Sequence, residues 1–219
     1  VVDFGPLLDP RVRVAEMRVA DADPAALPEA ERAIVSRAVE KRRREFAAGR
    51  LLARRLLGEL GVPPSFVLLR GAHRAPRWPE GVVGSITHSK GRAVVAVARA
   101  VDVPSVGIDL EAARTLETDL RRSIASPEEL ARLADPARES LVVFSAKEAF
   151  YKAQHALSAT FIGFSAASVR LDPEAGVFHV ELLVPAGPLP VGTRVSGRYA
   201  VSDGYVGTAL LWPPRQPTT

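Results

Sequence analysis

DVPSVGIDLE, residues 102–111, places a proline loop directly before an alternating segment in the middle of the chain. On a strand, alternate side chains share a face, so Val106, Ile108 and Leu110 point one way and Gly107, Asp109 and Glu111 the other. The loop at Asp102–Ser105 reads as a junction between two halves. Upstream, residues 11–19 alternate as a strand. Pro28 opens a long helical segment that runs to Gly61 with a break expected near Gly49, and SFVLLR (65–70) and AVVAVAR (93–99) read as strands. Downstream, a helix is expected around residues 138–155. AASVRLD, VFHVELL, RVSGRYAV and YVGTALLW then follow, divided by the turn signals DPEAG and SDG, which suggests antiparallel pairing. Each half mixes strands with one major helix, so the expected fold is α+β with units at 1–103 and 104–219.

Composition narrows the chemistry. The 219 residues carry 47% hydrophobic side chains, enough for one large core or two small ones. No apolar run reaches the roughly 18 residues of a membrane span. The first ten residues lack the basic, apolar, small-residue order of a signal peptide, so a cytoplasmic protein with no membrane partner is expected. Without cysteine there are no disulfides, thiolate metal sites or thiol nucleophiles, and any metal must sit on oxygen or imidazole. A net charge of +4 favours an anionic partner: a nucleic acid, a phosphorylated small molecule or an acidic protein. Only four of the 29 cationic residues are lysine, and two of these, Lys147 and Lys152, flank Glu148. Lysine brings a compact charge on a flexible stem where arginine brings a planar fork, so this pairing reads as chosen.

Three segments carry the chemistry. In VGIDLE, Asp109 and Glu111 sit side by side and repel each other. A divalent cation relieves that repulsion, and Mg²⁺ suits paired carboxylates because it shares its other positions with water and phosphate oxygens; the plain alternative is a strand end whose acids face water. In LVVFSAKEAFYKA the only charges are Lys147, Glu148 and Lys152, and Glu148 and Lys152, four apart, share a helical face. An exposed pair of that kind would contribute only about 0.3–0.5 kcal/mol, but the apolar neighbours leave little room for a solvated face. In GSITHSKG, Ser85, Thr87, His88 and Ser89 gather hydroxyls and an imidazole at what reads as a turn, where they can meet phosphate oxygens.

Taken in order, GSITHS, VGIDLE and FSAKEAFYKA resemble the phosphopantetheinyl transferases, the large monomeric bacterial type that activates siderophore, peptide and polyketide synthases, and its enterobactin-synthetase branch in particular. The likeness runs from KRRREFAAGRLLARRLLGELGVPP through RAPRWPEGVVGSITHS to the KEAFYKA helix. It implies two similar α/β halves related by a pseudo-twofold axis, with coenzyme A in the cleft between them. The implied reaction moves the 4′-phosphopantetheine arm of coenzyme A onto a serine of an acidic apo acyl or peptidyl carrier protein and releases adenosine 3′,5′-bisphosphate. By the same resemblance, Asp109, Glu111 and Glu148 hold Mg²⁺, with Mn²⁺ as the alternative ion. Lys147 and Lys152 lie along the phosphates, Lys152 also taking up charge on the leaving group, and Glu148 serves as general base, directly or through a water. Thr87 and His88 match the family's phosphate-binding turn. Arg42 and Arg50 meet the nucleotide phosphates, and His73 or Arg74 fills a further basic position. The catalytic set is then Asp109, Glu148 and Lys152 in a monomer.

Because the serine arrives on the partner, no activated nucleophile is required in this chain. Two other readings fit parts of the sequence. A Mg²⁺-dependent nuclease also needs clustered acids, but IDLEAAR has Ala113 where its lysine would fall. A nucleic-acid binder accounts for the arginines and leaves three carboxylates unexplained.

Overall fold

The unbroken apolar run in β3 (Arg92–Arg99) marks a strand covered on both faces. In the computed structural model, which describes residues 2–212, Ala93, Val95 and Val97 pack into one core cluster with Phe46, Leu52 and Leu56 of the long helix α2 (Glu40–Glu59). Val94, Ala96 and Ala98 pack into another with Val106, Ile108 and Leu110. Each such side chain contributes roughly 1.5–3 kcal/mol when fully buried. β3 is the middle of an antiparallel sheet of order β1-β3-β2, with β1 Arg13–Arg18 and β2 Val82–Ser89.

The second half begins with β4 (Ser105–Ala112) and continues through α3 (Thr118–Ile124), α4 (Pro127–Ala131) and α5 (Pro136–Ser158). Its remaining strands are β5 (Ala167–Asp172), β6 (Val177–Leu182), β7 (Arg194–Ser202) and β8 (Tyr205–Trp212), giving a sheet of order β4-β8-β7-β6-β5, antiparallel at every pairing. The fold is thus α+β with two sheets. α5 begins at the Asp135 cap, whose carboxylate accepts from Ala137 N and Arg138 N. The helix is buried on most of its circumference, with Leu141, Val143 and Phe150 against Phe178, Val180 and Leu210. The terminal segment 2–4 bridges the halves, since Val2 and Phe4 share a cluster with Val94, Ile108 and Ala209. Val1 of the expected first unit and residues 213–219 of the second lie outside the described residues.

Three local expectations change. The helical segment does not run from Pro28 to Gly61 with a break at Gly49. α1 covers only Glu29–Ala33, the chain leaves the helical path through Ile34–Val39, and α2 then passes straight through Gly49. Ser36 donates its hydroxyl to Ala33 O in the break, the local competition that Ser offers a helix. Gly49 is there for proximity, because a Cβ on it would lie 2.8 Å from Ile86 Cγ2. SFVLLR forms no strand beyond a single bridge between Arg70 and Pro76. Its backbone is held by side chains instead, Leu68 N by Glu31 and the carbonyls of Phe66 and Pro64 by Arg54. GSITHS, read as a turn, is strand β2, and only Lys90 and Gly91 turn the chain.

Candidate active site

β4 is an edge strand, and the N–H groups on its outer side have no neighbouring strand to bond. The alternation S-x-T-x-S in β2 meets that need. Ser85, Thr87 and Ser89 accept through their hydroxyl oxygens from Ile108 N, Leu110 N and Ala112 N at 3.0–3.1 Å. Hydroxyls at a spacing of two match amides at a spacing of two, and this ladder stitches the two sheets together. The opposite face of β2 carries Gly84, Ile86 and His88 into a cleft of about 690 Å³ shared with α2 and α5.

Thr87, expected at a phosphate, is therefore a seam residue: buried, it accepts from Leu110 N and donates to Asp109 Oδ1 at 3.1 Å. Its single hydroxyl proton is used. Asp109 is also buried and takes three donors, with Lys152 Nζ on Oδ1 at 2.8 Å and Ser145 Oγ on Oδ2 at 2.9 Å completing the set. Lys152 Nζ donates in addition to Ile108 O at 3.0 Å. Gly107 makes this convergence possible, because a Cβ there would fall 1.9 Å from Ala149 O, so only glycine lets α5 lie this close to β4.

Glu111 and Glu148 complete the acidic group. Burial, and then the nearby Asp109 charge, push the Glu111 carboxyl up to about 7. Burial also raises Glu148, with Lys152 opposing and Asp109 assisting. Among the described residues no three such side chains stand as a ready-made metal cage, and the Lys152 ammonium sits on Asp109 Oδ1 at 2.8 Å. Asp109, Glu111 and Glu148 offer hard oxygen donors on adjoining elements, the two glutamates held toward the neutral form by burial and the Asp109 charge, and a divalent ion would reverse that shift.

Lys147 departs from its expected place along the phosphates. Its ammonium points away from the cleft and is fully used, donating to Ile124 O at 2.8 Å, Glu129 Oε2 at 2.9 Å and Phe164 O at 3.0 Å. Burial lowers the Lys147 pKa, and Glu129 works against that shift. Glu129 in turn accepts from Ser126 N and Val169 N, so the pair pins α4, α5 and β5 together.

The other end of the cleft is arginine-rich. Arg42 Nη1 donates to His88 Nε2 at 2.7 Å. Since guanidinium cannot accept, this imidazole carries its proton on Nδ1, which faces Glu45 Oε2 at 3.8 Å. Burial, the largest influence, holds His88 below its ordinary range. Arg50 lies almost wholly buried with its guanidinium 4.6 Å from the centre of the Phe46 ring and its Nε unpartnered, and burial depresses it to about 10. Arg70 lies over the same ring at 5.4 Å and is lowered by burial and by Arg42 and Arg74. His73 and Arg74 both line the cleft on a loop with positive φ at both positions.

Arg70, Phe46, Trp78 and Tyr151, which line the cleft, and Ser145, which holds Asp109, are not among the residues the sequence singles out. Arg70 had a signal in the cation that closes an apolar run just before Gly71. Ser145 had one in the hydroxyl set three residues before Glu148 in an apolar helix.

A cleft running from stacked arginines to a lysine–carboxylate cluster suits a transferase acting on a phosphorylated substrate. The chain belongs to the 4′-phosphopantetheinyl transferase superfamily: residues 105–202 match that superfamily, and residues 30–98 match the 4′-phosphopantetheinyl transferase N-terminal domain. Among characterised relatives it is 43% identical to the 4′-phosphopantetheinyl transferase Svp of Streptomyces mobaraensis, over 92% of this chain and 86% of that protein. It is 38% identical to the transferase Npt of Nocardia iowensis, over 94% and 98%, and 37% identical to PptT of Mycobacterium tuberculosis, over 84% and 85%. No helix among the described residues is long and apolar enough to cross a membrane.

Proposed function

We propose that the protein transfers the 4′-phosphopantetheine arm of coenzyme A to a serine of an apo carrier protein, with coenzyme A lying in the cleft between the halves. One observation carries the placement: a single cleft is lined by Arg42, Arg50 and Arg70, by His88, and by Glu148 and Lys152. Residues 1–103 take the nucleotide end in this reading, and residues 104–219 supply the reacting end. Arg50 is buried and Arg70 partly so, and neither has a carboxylate bond among the described residues, which suits a phosphate that restores lost solvation. Mg²⁺ would be held by Asp109, Glu111 and Glu148, and when bound it supplies neutralising charge beside the pyrophosphate.

The serine Oγ of the carrier attacks the phosphorus that bears the pantetheine arm. The bond from that phosphorus to the bridging oxygen breaks, and adenosine 3′,5′-bisphosphate leaves with the electron pair. Glu148 takes the serine proton, directly or through one water. Lys152 is five bonds of flexible stem away from its backbone and can turn its ammonium from Asp109 Oδ1 to the developing charge on the leaving oxygen. Positioning and fixed charge do most of this work, as in other phosphoryl transfers.

The test is to incubate the protein with coenzyme A, Mg²⁺ and an acidic apo carrier and to weigh the carrier. A gain of one phosphopantetheine, with adenosine 3′,5′-bisphosphate in equal amount, is expected. No gain on several unrelated carriers would reject the reading.

A further inference from the structure

Glu31 is the only acid of α1 that is buried, and it is wholly so at 0% exposure. It lies outside the cleft, and no part of the chemistry above uses it. Oε1 accepts the backbone N–H of Leu68 at 2.9 Å and faces Arg54 Nη1 at 3.4 Å. Arg54 in turn donates to Phe66 O at 2.8 Å and to Pro64 O. Together the two side chains replace the strand partner that the 64–68 segment lacks, and that segment leads directly to Arg70.

Glu31 Oε2 and Arg50 Nε are two of three buried side-chain polar atoms without a hydrogen-bond partner among the described residues. Leaving such atoms unpaired costs roughly 1–3 kcal/mol each, and more when the group is charged. The cation that geometry sets on Glu31 is Arg54, at 3.4 Å. Burial pulls Arg50 toward the neutral form, and the Glu31 charge opposes this.

We propose that Glu31 is a positioning residue for nucleotide recognition, fixing Arg70 through the Leu68–Arg54 clamp, so that its guanidinium stays over Phe46 and faces the cleft. The proposal rests on the reading that this cleft takes the nucleotide end of coenzyme A. Glu31 touches neither substrate nor reacting atoms, so its loss should act on binding and spare the chemical step.

The experiment is steady-state kinetics of the full chain with an apo carrier, using coenzyme A and coenzyme A lacking its 3′-phosphate as the two probes. Glu31→Gln keeps an acceptor for Leu68 N and removes only the charge. It should raise the KM for coenzyme A about tenfold, the scale of one charge-assisted contact, and leave kcat and the KM for carrier within about twofold. It should also narrow the wild-type preference for the 3′-phosphorylated probe. A folded variant with an unchanged KM for coenzyme A overturns the proposal, as does an equal rise for both probes, which would mark general loosening. If Glu31→Gln does not fold, Arg54→Gln, on a side chain partly open to solvent, should give the same narrowed preference, and an unaltered preference there overturns the proposal. Transfer by the wild type with no preference between probes also overturns it. A wild type that transfers from neither probe refutes the transferase reading itself.

Discussion

Lys147 and Lys152 lie five residues apart on α5, and the fold gives them opposite employment. Lys152 stands in the cleft on Asp109, whereas Lys147 closes a buried network with Glu129. Breaking a buried ion pair from one side strands the remaining charge, so Lys147→Met should lower stability by about 3–5 kcal/mol, seen as a drop in thermal midpoint. A phosphate ligand would behave differently, raising the KM for coenzyme A in a protein of unchanged stability. Asp109→Asn keeps the shape of the group on which Thr87, Ser145 and Lys152 converge. It should cut kcat/KM by roughly 10²-fold or more while the circular dichroism spectrum stands, and near-native turnover would remove Asp109 from the site. His155 allows a pH test. Burial, and then His73, hold its imidazole below the usual range. The unfolded chain therefore binds more protons near pH 6.5 and below, so this group's contribution is present above pH 6.5 and is lost as pH falls through the lower folded value. The thermal midpoint of His155→Phe should fall less steeply than wild type between pH 7 and 5, and parallel curves would contradict the assignment. Residue types and spacing mark Asp109, Glu148 and Lys152 as candidates, and the fold sets Lys152 on Asp109. They did not announce that Lys147 faces elsewhere, because helical position fixes a direction and not which neighbour waits there.

At the level of elements, the decisive contacts are close approaches that only small or hydroxyl side chains permit. Gly107→Ala would drive a methyl into Ala149 O and force α5 from β4, separating Asp109 from Ser145 and Lys152. A loss at or above the roughly 1–3 kcal/mol of ordinary overpacking is expected in chemical denaturation, together with a loss of transfer; a native-like variant would show that α5 can slide without harm to the site. β4, β8 and the antiparallel run of the second sheet were legible because alternation and turn residues spell them out locally. The S-x-T-x-S ladder was not. Its hydroxyls look like phosphate ligands until the edge strand they serve is in view, and that pairing depends on residues about 23 positions away. SFVLLR misled for a related reason: its β-like composition is real, but Glu31 and Arg54 claimed its backbone first.

For the molecule as a whole, two sheets are joined at β2 and β4, and α2 and α5 line one cleft. Net charge of +4 on the chain should speed encounter with an acidic carrier, so kcat/KM for carrier should fall as salt rises, and a flat salt profile would remove electrostatic steering from the account. The most direct measurement is a crystal structure with coenzyme A and Mg²⁺. The account predicts the 3′-phosphate against Arg50 and Arg70, the pyrophosphate beside His88 and Lys152 with the ion on Asp109, Glu111 and Glu148, and Lys147 still on Glu129. Coenzyme A bound outside this cleft, or Asp109 and Glu148 failing to meet at one ion, would contradict it.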